Sequence, residues 1–582
     1  MKKFFLILFA SFSLLALNSC KSDDEQIEDP VDTTPDYLLM HYGVGSTNLD
    51  DCILSNILHA LDEGSDDKVK MTFQYKLSGF YQNKYEGMEE IDFAGARRFT
   101  ADDNKHLVGK YDDLASSHYQ LAKEEIDSLC RKINSDSVGD RFYNMSCADG
   151  LGDFIKWSKE QYPNAKRTIL VIGGHGYGWQ FEYDGVVDGN LEQTRSMLHY
   201  DNNLAEPDLL SLNETVEGLK QGGGVDLFYT DACLMSQYEN IYGYAGCAKY
   251  LLSSLAEISA FGGNYSQFLR LLKDTGNTDQ EFEEAMHRYV DACTSKEWWG
   301  QQRLINGDLG FYNLTKLDQV TLVLKKMTET LIEKFKSDES IEPTAEELPY
   351  GETFAPYIRN AVLSCVMAWR YDEVSLYQFS SFHPIGLRAA IDEDHDYFPN
   401  KGGYYYLSDL IAWLRYCDTP GAKKLFDKDP QGCQRFLAVM SSFLEKSFVI
   451  TDMIRLLDNN LDAVGAKNNP FKEIRQELSE AIKSMAYIKC VVKEDQPGID
   501  AEYDQCSPGV TIIPFNEELF NSDLNYKLIK NNLSVNDAIS IYQNLEFDKQ
   551  VGWSRFLQTI DVFPSAMTNS SRGKNKVINI KS

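Results

Sequence analysis

TILVIGG (168–174) and VDLFYTD (225–231) are two short, almost wholly apolar runs, and each is followed closely by a residue able to do chemistry. The first leads directly into HGYGW (175–179), beginning at His175; the second leads through DACLM (231–235) to Cys233. An uninterrupted apolar run of this length reads as a strand buried on both faces. Between the two, Ser211 and Glu214 have the S-x-x-E spacing of a capping box, opening a short helix through Val216 and Leu219. Ahead of Thr168, Leu151, Phe154, Ile155 and Ser158 mark one face of a helix that Pro163 ends. Weaker strand signals stand upstream at YLLMHYGV (37–44) and VKMTFQY (69–75). Strands separated by helices imply a parallel sheet covered on both faces, and such sheets bind ligands beyond the carboxyl ends of their strands. The residues after Ile172 and Tyr229 are therefore the first place to look for a site.

His175 sits among Gly173, Gly174, Gly176 and Gly178. Glycines let the backbone approach a ligand closely, and a histidine there can serve as a general acid or base near neutral pH. Cys233 follows its strand by a three-residue turn and is expected to open a helix from Leu234. A helix N-terminus favours the thiolate and offers N–H groups to an oxyanion. Taken singly, His175 also reads as a structural residue of a tight turn and Cys233 as a buried inert thiol. Two such groups at the ends of two strands point instead to a nucleophile and its base.

The chain has 582 residues, 57 Lys+Arg against 88 Asp+Glu, and a formal net charge of −31. A hydrophobic content of 43% excludes a disordered body, and the acidic balance argues against nucleic acid as a partner. There are twelve cysteines but no C-x-x-C and no His-rich spacing, so neither a zinc site nor a thioredoxin-type motif is expected.

At the N-terminus, Lys2 and Lys3 precede an apolar run from Phe4 to Leu17 and then Asn18-Ser19-Cys20. This reads as an export signal, too short to span a bilayer. The ending LNSC resembles a bacterial lipoprotein signal with Cys20 lipidated, and KSDDEQIEDPVDTTPD (21–36) reads as an acidic tether. An acidic patch in that place is similar to the surface-export signal of Bacteroidetes-type lipoproteins. The resemblance implies an exported protein held at the outer membrane or the cell surface by a lipid anchor.

From about Asp279 to Cys490 the apolar period turns helical. Leu317, Val320, Leu324, Met327, Leu331 and Phe335 recur at helical spacing behind Thr315-x-x-Asp318, and similar patterns fill 353–371, 404–417, 430–457 and 470–490. Strand-like runs return at VTIIPF (510–515) and AISIY (538–542), so the C-terminal part is expected to complete the sheet.

HGYGW and DACLM, with the histidine upstream of the cysteine, resemble the clostripain family of cysteine peptidases, relatives of caspases, legumains and gingipains. Tyr162-Pro163, Glu239, YLLSSLAEISAFGGNY (250–265) and GVTIIPF…GWSRFL (509–557) are similar to the family's pattern as well. The resemblance implies a caspase-like three-layer α/β fold with a mostly parallel sheet, accompanied here by a large mainly helical region. The expected division is a signal peptide (1–19), the tether (20–36), a catalytic core (37–275), the helical region (276–495), a segment completing the catalytic domain (496–565) and a tail (566–582). Carried over, His175 is the general base and acid, Cys233 the nucleophile, and the N–H groups of Gly176 and Cys233 the oxyanion hole. Asp231 lies at the base of the primary specificity pocket and implies protein or peptide substrates with Arg or Lys before the scissile bond. Ser253, Ser254 and Leu255 pair with the substrate backbone, and Arg195 is a site of self-cleavage. SAFGGNY (259–265) replaces the proline-glycine run with a tryptophan that is frequent in the family, which leaves the choice between Arg and Lys open. Clostripain depends on calcium, but DGVVDGN (184–190) lacks the alternating pattern of a calcium loop, so no cofactor is expected and calcium dependence stays open.

A non-catalytic surface lipoprotein that binds glycans or peptides is the competing reading, to which 33 tyrosines and seven tryptophans would lend themselves. The chain has no G-x-S-x-G and no H-E-x-x-H, which disfavours a serine hydrolase of the α/β type and a zinc peptidase.

Overall fold

A computed structural model describes residues 34–44, 49–77, 80–83, 87–90, 95–111, 123–140, 142–176, 178–179, 197–198, 210–255, 258, 262–295, 307–346, 348, 351–359, 361–362, 447–491, 508–511 and 535–560. The lipidation candidate Cys20, the acidic tether before residue 34, Arg195, DGVVDGN and the helical pattern at 404–417 lie outside the described residues.

Nine strands form one sheet: β1 (Tyr37–Val44), β2 (Val69–Leu77), β3 (Gly95–Thr100), β4 (Asp136–Gly139), β5 (Arg167–Gly173), β6 (Val225–Asp231), β7 (Ala248–Ser253), β8 (Gly307–Asn313) and β9 (Ala486–Val491). Their spatial order is β9-β8-β7-β6-β5-β1-β2-β3-β4. The central strands β7, β6, β5, β1 and β2 are mutually parallel, and antiparallel pairs flank them on both sides. The apolar runs read in the sequence as strands are thus the middle of the sheet, where both faces are covered and polar alternation is not needed.

On one face lie α1 (Asp50–Glu63), α2 (Lys123–Cys130), α6 (Tyr265–Asp274) and α7 (Asp279–Cys293), whose apolar residues pack with Leu39, Val171, Leu227 and Leu252. On the other, α3 (Ala148–Gln161), α4 (Leu212–Gln221) and α5 (Tyr238–Tyr244) pack against Met40, Leu170 and Phe228. The same core continues into α8 (Leu317–Lys336), α9 (Ile450–Ala463), α10 (Phe471–Met485), α11 (Val535–Gln543), α12 (Glu546–Val551) and α13 (Trp553–Ile560). The result is a three-layer α/β fold with a sheet that is parallel in its core. The capping box at Ser211 and Glu214 is formed in both directions, as its spacing implies.

Four local expectations are overturned. Among the described residues the sheet is extended not by the C-terminal part but by β8 and β9, both inside the stretch read as helical; α10 ends at Met485, and Ala486–Val491 pairs with β8. AISIY belongs to helix α11, in which Ile541 and Tyr542 are buried against the core. Gly509–Thr511 is a strand, but it pairs with Ser447–Val449 in a separate two-stranded ladder. Helix α8 starts at Leu317 without a side-chain cap; Asn313, not Thr315, accepts a hydrogen bond at the preceding turn.

Candidate active site

The parallel register sets the site. Gly173 at the end of β5 lies beside Gly43 of β1 on one side and Asp231 of β6 on the other. The chain leaving β5 therefore emerges next to the chain leaving β6, and His175 and Cys233 are carried to one place. Both are half-buried and line a pocket of about 110 Å³ together with Leu49, Ile53, Asn56, Asp231, Ile258 and the glycines 173, 174 and 262.

Gly176 explains the glycine richness of HGYGW. A Cβ at this position would stand 2.8 Å from the Cys233 nitrogen and 2.9 Å from Ala232 Cβ, and closer still to the Cys233 carbonyl oxygen. Only a residue without a side chain lets these two backbones meet. Gly178 adopts φ +69° beside Gln237 and the Leu234 carbonyl. Trp179, fully buried, donates its backbone N–H to the Gln237 side chain and packs edge-on against Tyr542 at 5.1 Å.

Cys233 does not open a helix, which corrects the sequence expectation. Residues 232–234 form a turn, Leu234 has φ +64°, and α5 begins only at Tyr238. A branched side chain in the left-handed region is strained, and such strain collects at functional turns. The Ile258 N–H lies 3.3 Å from the Cys233 sulfur and donates to it. Elsewhere, burial pushes the Cys130 and Cys293 thiols up to about 12 and raises Cys52 and Cys247 also, so these four stay protonated near neutral pH. Burial lowers His175 from its ordinary value, so its imidazole is neutral and able to accept a proton near pH 7.

Asp231 is buried and accepts hydrogen bonds from the Tyr265 hydroxyl at 2.6 Å, the Gly263 N–H at 3.1 Å and the Tyr229 hydroxyl at 3.4 Å. Burial raises its carboxyl above the ordinary range, while those three donors pull the other way. Asp231 also lines a second, smaller cavity of about 30 Å³, whose wall includes Ser254, Cys293 and Asp308.

Asp308 was not legible as a site residue, because the strand that carries it, GDLGFYN, has two glycines and no run of branched residues. Its carboxylate accepts from the Ser254 hydroxyl at 2.7 Å and from the Leu255 N–H at 3.0 Å. Both contacts fall within 253–255, the stretch expected to pair with the substrate backbone. Ser253 pairs with Gly310 across β7 and β8, the Ser254 carbonyl accepts from Ser236 N–H, and the Leu255 N–H goes to Asp308. β7 is an inner strand, and the Ser254 carbonyl and the Leu255 N–H each have a partner within the protein.

The profile of the clostripain family matches residues 91–398, which takes in both HGYGW and DACLM and more than half of the chain. The chain belongs to the clostripain family. It is a cysteine-type peptidase, and its substrates are proteins or peptides. The match also runs well into the stretch read as helical, farther than the residue resemblance reached. Among solved structures, the chain is similar to a secreted cysteine protease from Bacteroides thetaiotaomicron in complex with an irreversible peptide inhibitor, at 11% identity. That likeness covers 89% of this chain and 99% of the other, with a TM-score of 0.44. An inactive zymogen protease from Parabacteroides distasonis is similar at 13% identity over 89% of this chain and 98% of that one, with a TM-score of 0.39. No curated protein matches.

Proposed function

We propose that this clostripain-family peptidase is an endopeptidase that cuts after Arg or Lys through Cys233 and His175. The observation that carries the reading is the meeting of Cys233, His175 and Asp231 in one pocket. The Cys233 sulfur attacks the scissile carbonyl carbon as its proton passes to His175, whose burial keeps it an unprotonated acceptor. The N–H groups of Gly176 and Cys233, on backbones that pack closely, take the negative oxygen. His175 returns the proton to the departing amine as the C–N bond breaks, leaving a thioester on Cys233. Water then attacks the thioester, gives a proton to His175, and releases the acid; the thiol is reprotonated. Asp231, at the pocket wall, pairs with the cationic side chain before the scissile bond.

The same reading includes a lipid anchor at Cys20 that holds the enzyme at the outer membrane, and self-cleavage at Arg195. Metabolic labelling with a lipid precursor tests the first, since Cys20→Ala should lose the label. For the peptidase itself, fluorogenic peptides ending in Arg, Lys or norleucine are the assay. Cys233→Ala and His175→Ala should each abolish cleavage with the thermal melt unchanged, and wild type should prefer the two basic peptides. Full activity in either variant would remove the dyad.

A further inference from the structure

Asp231 alone is a poor receptor for a guanidinium. A carboxylate offers roughly four lone-pair sites, and Tyr265, Gly263 and Tyr229 already occupy three. An arginine head group brings five N–H donors into the pocket and a lysine three. A buried head group whose donors go unmet is disfavoured, so the pocket needs a second acceptor.

Helix α1 supplies one. Leu49, just before it, and Ile53 and Asn56 within it are spaced to face the same side, and all three line the pocket that holds His175, Cys233 and Asp231. Asn56 is only 4% exposed, so its side-chain amide sits at the buried end of that pocket. Its place is well defined. At Gly262, where φ is +67°, a Cβ would stand 2.9 Å from Asn56 Nδ2 and closer still to Asp231 Oδ2. The amide and the carboxylate therefore lie against the same side of Gly262, close to one another at the wall of the pocket.

We infer that Asn56 is a specificity-determining residue of this pocket, its amide oxygen accepting a hydrogen bond from the cationic head group of the residue before the scissile bond. Turned about its last torsion, the amide presents its oxygen to a cation while Asp231 supplies the charge. Arginine gains more from the second acceptor than lysine, since it has more donors to satisfy. The inference rests on the proposed preference for basic residues.

The test uses the full chain and peptides that differ only in Arg, Lys or norleucine before the scissile bond. Asn56→Leu keeps the volume and removes the acceptor. Its kcat/KM should fall by about 10- to 100-fold for Arg, less for Lys, and by no more than about threefold for norleucine. Asn56→Asp keeps an oxygen at that point and should retain the basic preference, which judges the inference even where the leucine variant folds poorly. Equal losses on all three peptides in Asn56→Leu, or loss of the preference in Asn56→Asp, would overturn the role of Asn56 while leaving the basic pocket intact. A wild type with no preference for Arg or Lys would overturn the pocket reading and, with it, this inference.

Discussion

Replacing Gly176 with alanine is a one-methyl perturbation with a calculable effect. The added Cβ meets the Cys233 nitrogen at 2.8 Å and its carbonyl oxygen at a still shorter distance, where about 3.4 Å is the ordinary limit for carbon contacts. Main-chain atoms cannot swing aside as a side chain does, so the two loops must separate by about 1 Å, and a misplacement of that size costs on the order of 100-fold in rate. Gly176 does not have positive φ, so the penalty comes from space and not from backbone conformation. Overpacking itself costs about 1–3 kcal/mol of stability. Gly176→Ala should therefore lower kcat/KM by about 100-fold or more, with a modestly lower melting temperature. Turnover of a fluorogenic peptide, divided by the concentration of reactive thiol titrated with an irreversible alkylator, separates slow chemistry from misfolded enzyme. Gly246→Ala is the control, because nothing lies within 4 Å of a Cβ there and it should behave as wild type. A Gly176→Ala enzyme within about threefold of wild type and equally stable would refute the claim that these backbones must touch.

Asp231, raised by burial, keeps its proton to a higher pH than an ordinary aspartate, and only its ionised form pairs with a cation. The ratio of kcat/KM for Arg over norleucine peptides should thus fall as pH drops through that raised value, while protonation of His175 cancels between the two substrates; a ratio that stays flat down to pH ~4 contradicts the charge pair. Tyr542→Phe removes the hydroxyl that donates to the buried Glu239 carboxylate at 2.7 Å, and should cost about 1.5–3 kcal/mol in chemical denaturation while lowering activity on all peptides alike. A stability loss under about 0.5 kcal/mol would show that this bond does not hold the site together.

The central strands and the two chemical side chains were legible because each depends on a local signal. An apolar run such as TILVIGG can hardly be anything but a buried strand, and His175 and Cys233 stand immediately after such runs. What the sequence concealed is tertiary. The helix expected after Cys233 is deferred to Tyr238 because Leu234 is forced into a left-handed turn, and no local preference of leucine announces that. β8 and β9 form because the open edge of β7 needs a partner, not because GDLGFYN or AYIKCV carries a strong strand pattern. Asn56 and Asp308 look like ordinary helix and strand residues until the fold sets them around the pocket.

The bond between Tyr542 and Glu239 spans 303 residues of chain. During synthesis the nucleophile turn leaves the ribosome long before the helix that will brace it exists. Trp179, Glu239 and Tyr542 must find one another after nearly all the remaining chain has been made, a closure that the long intervening loop renders slow. A nascent chain thus carries both reactive side chains with their loops still unbraced. The order of manufacture delays the assembly of a protein-cutting site until the molecule around it is nearly complete.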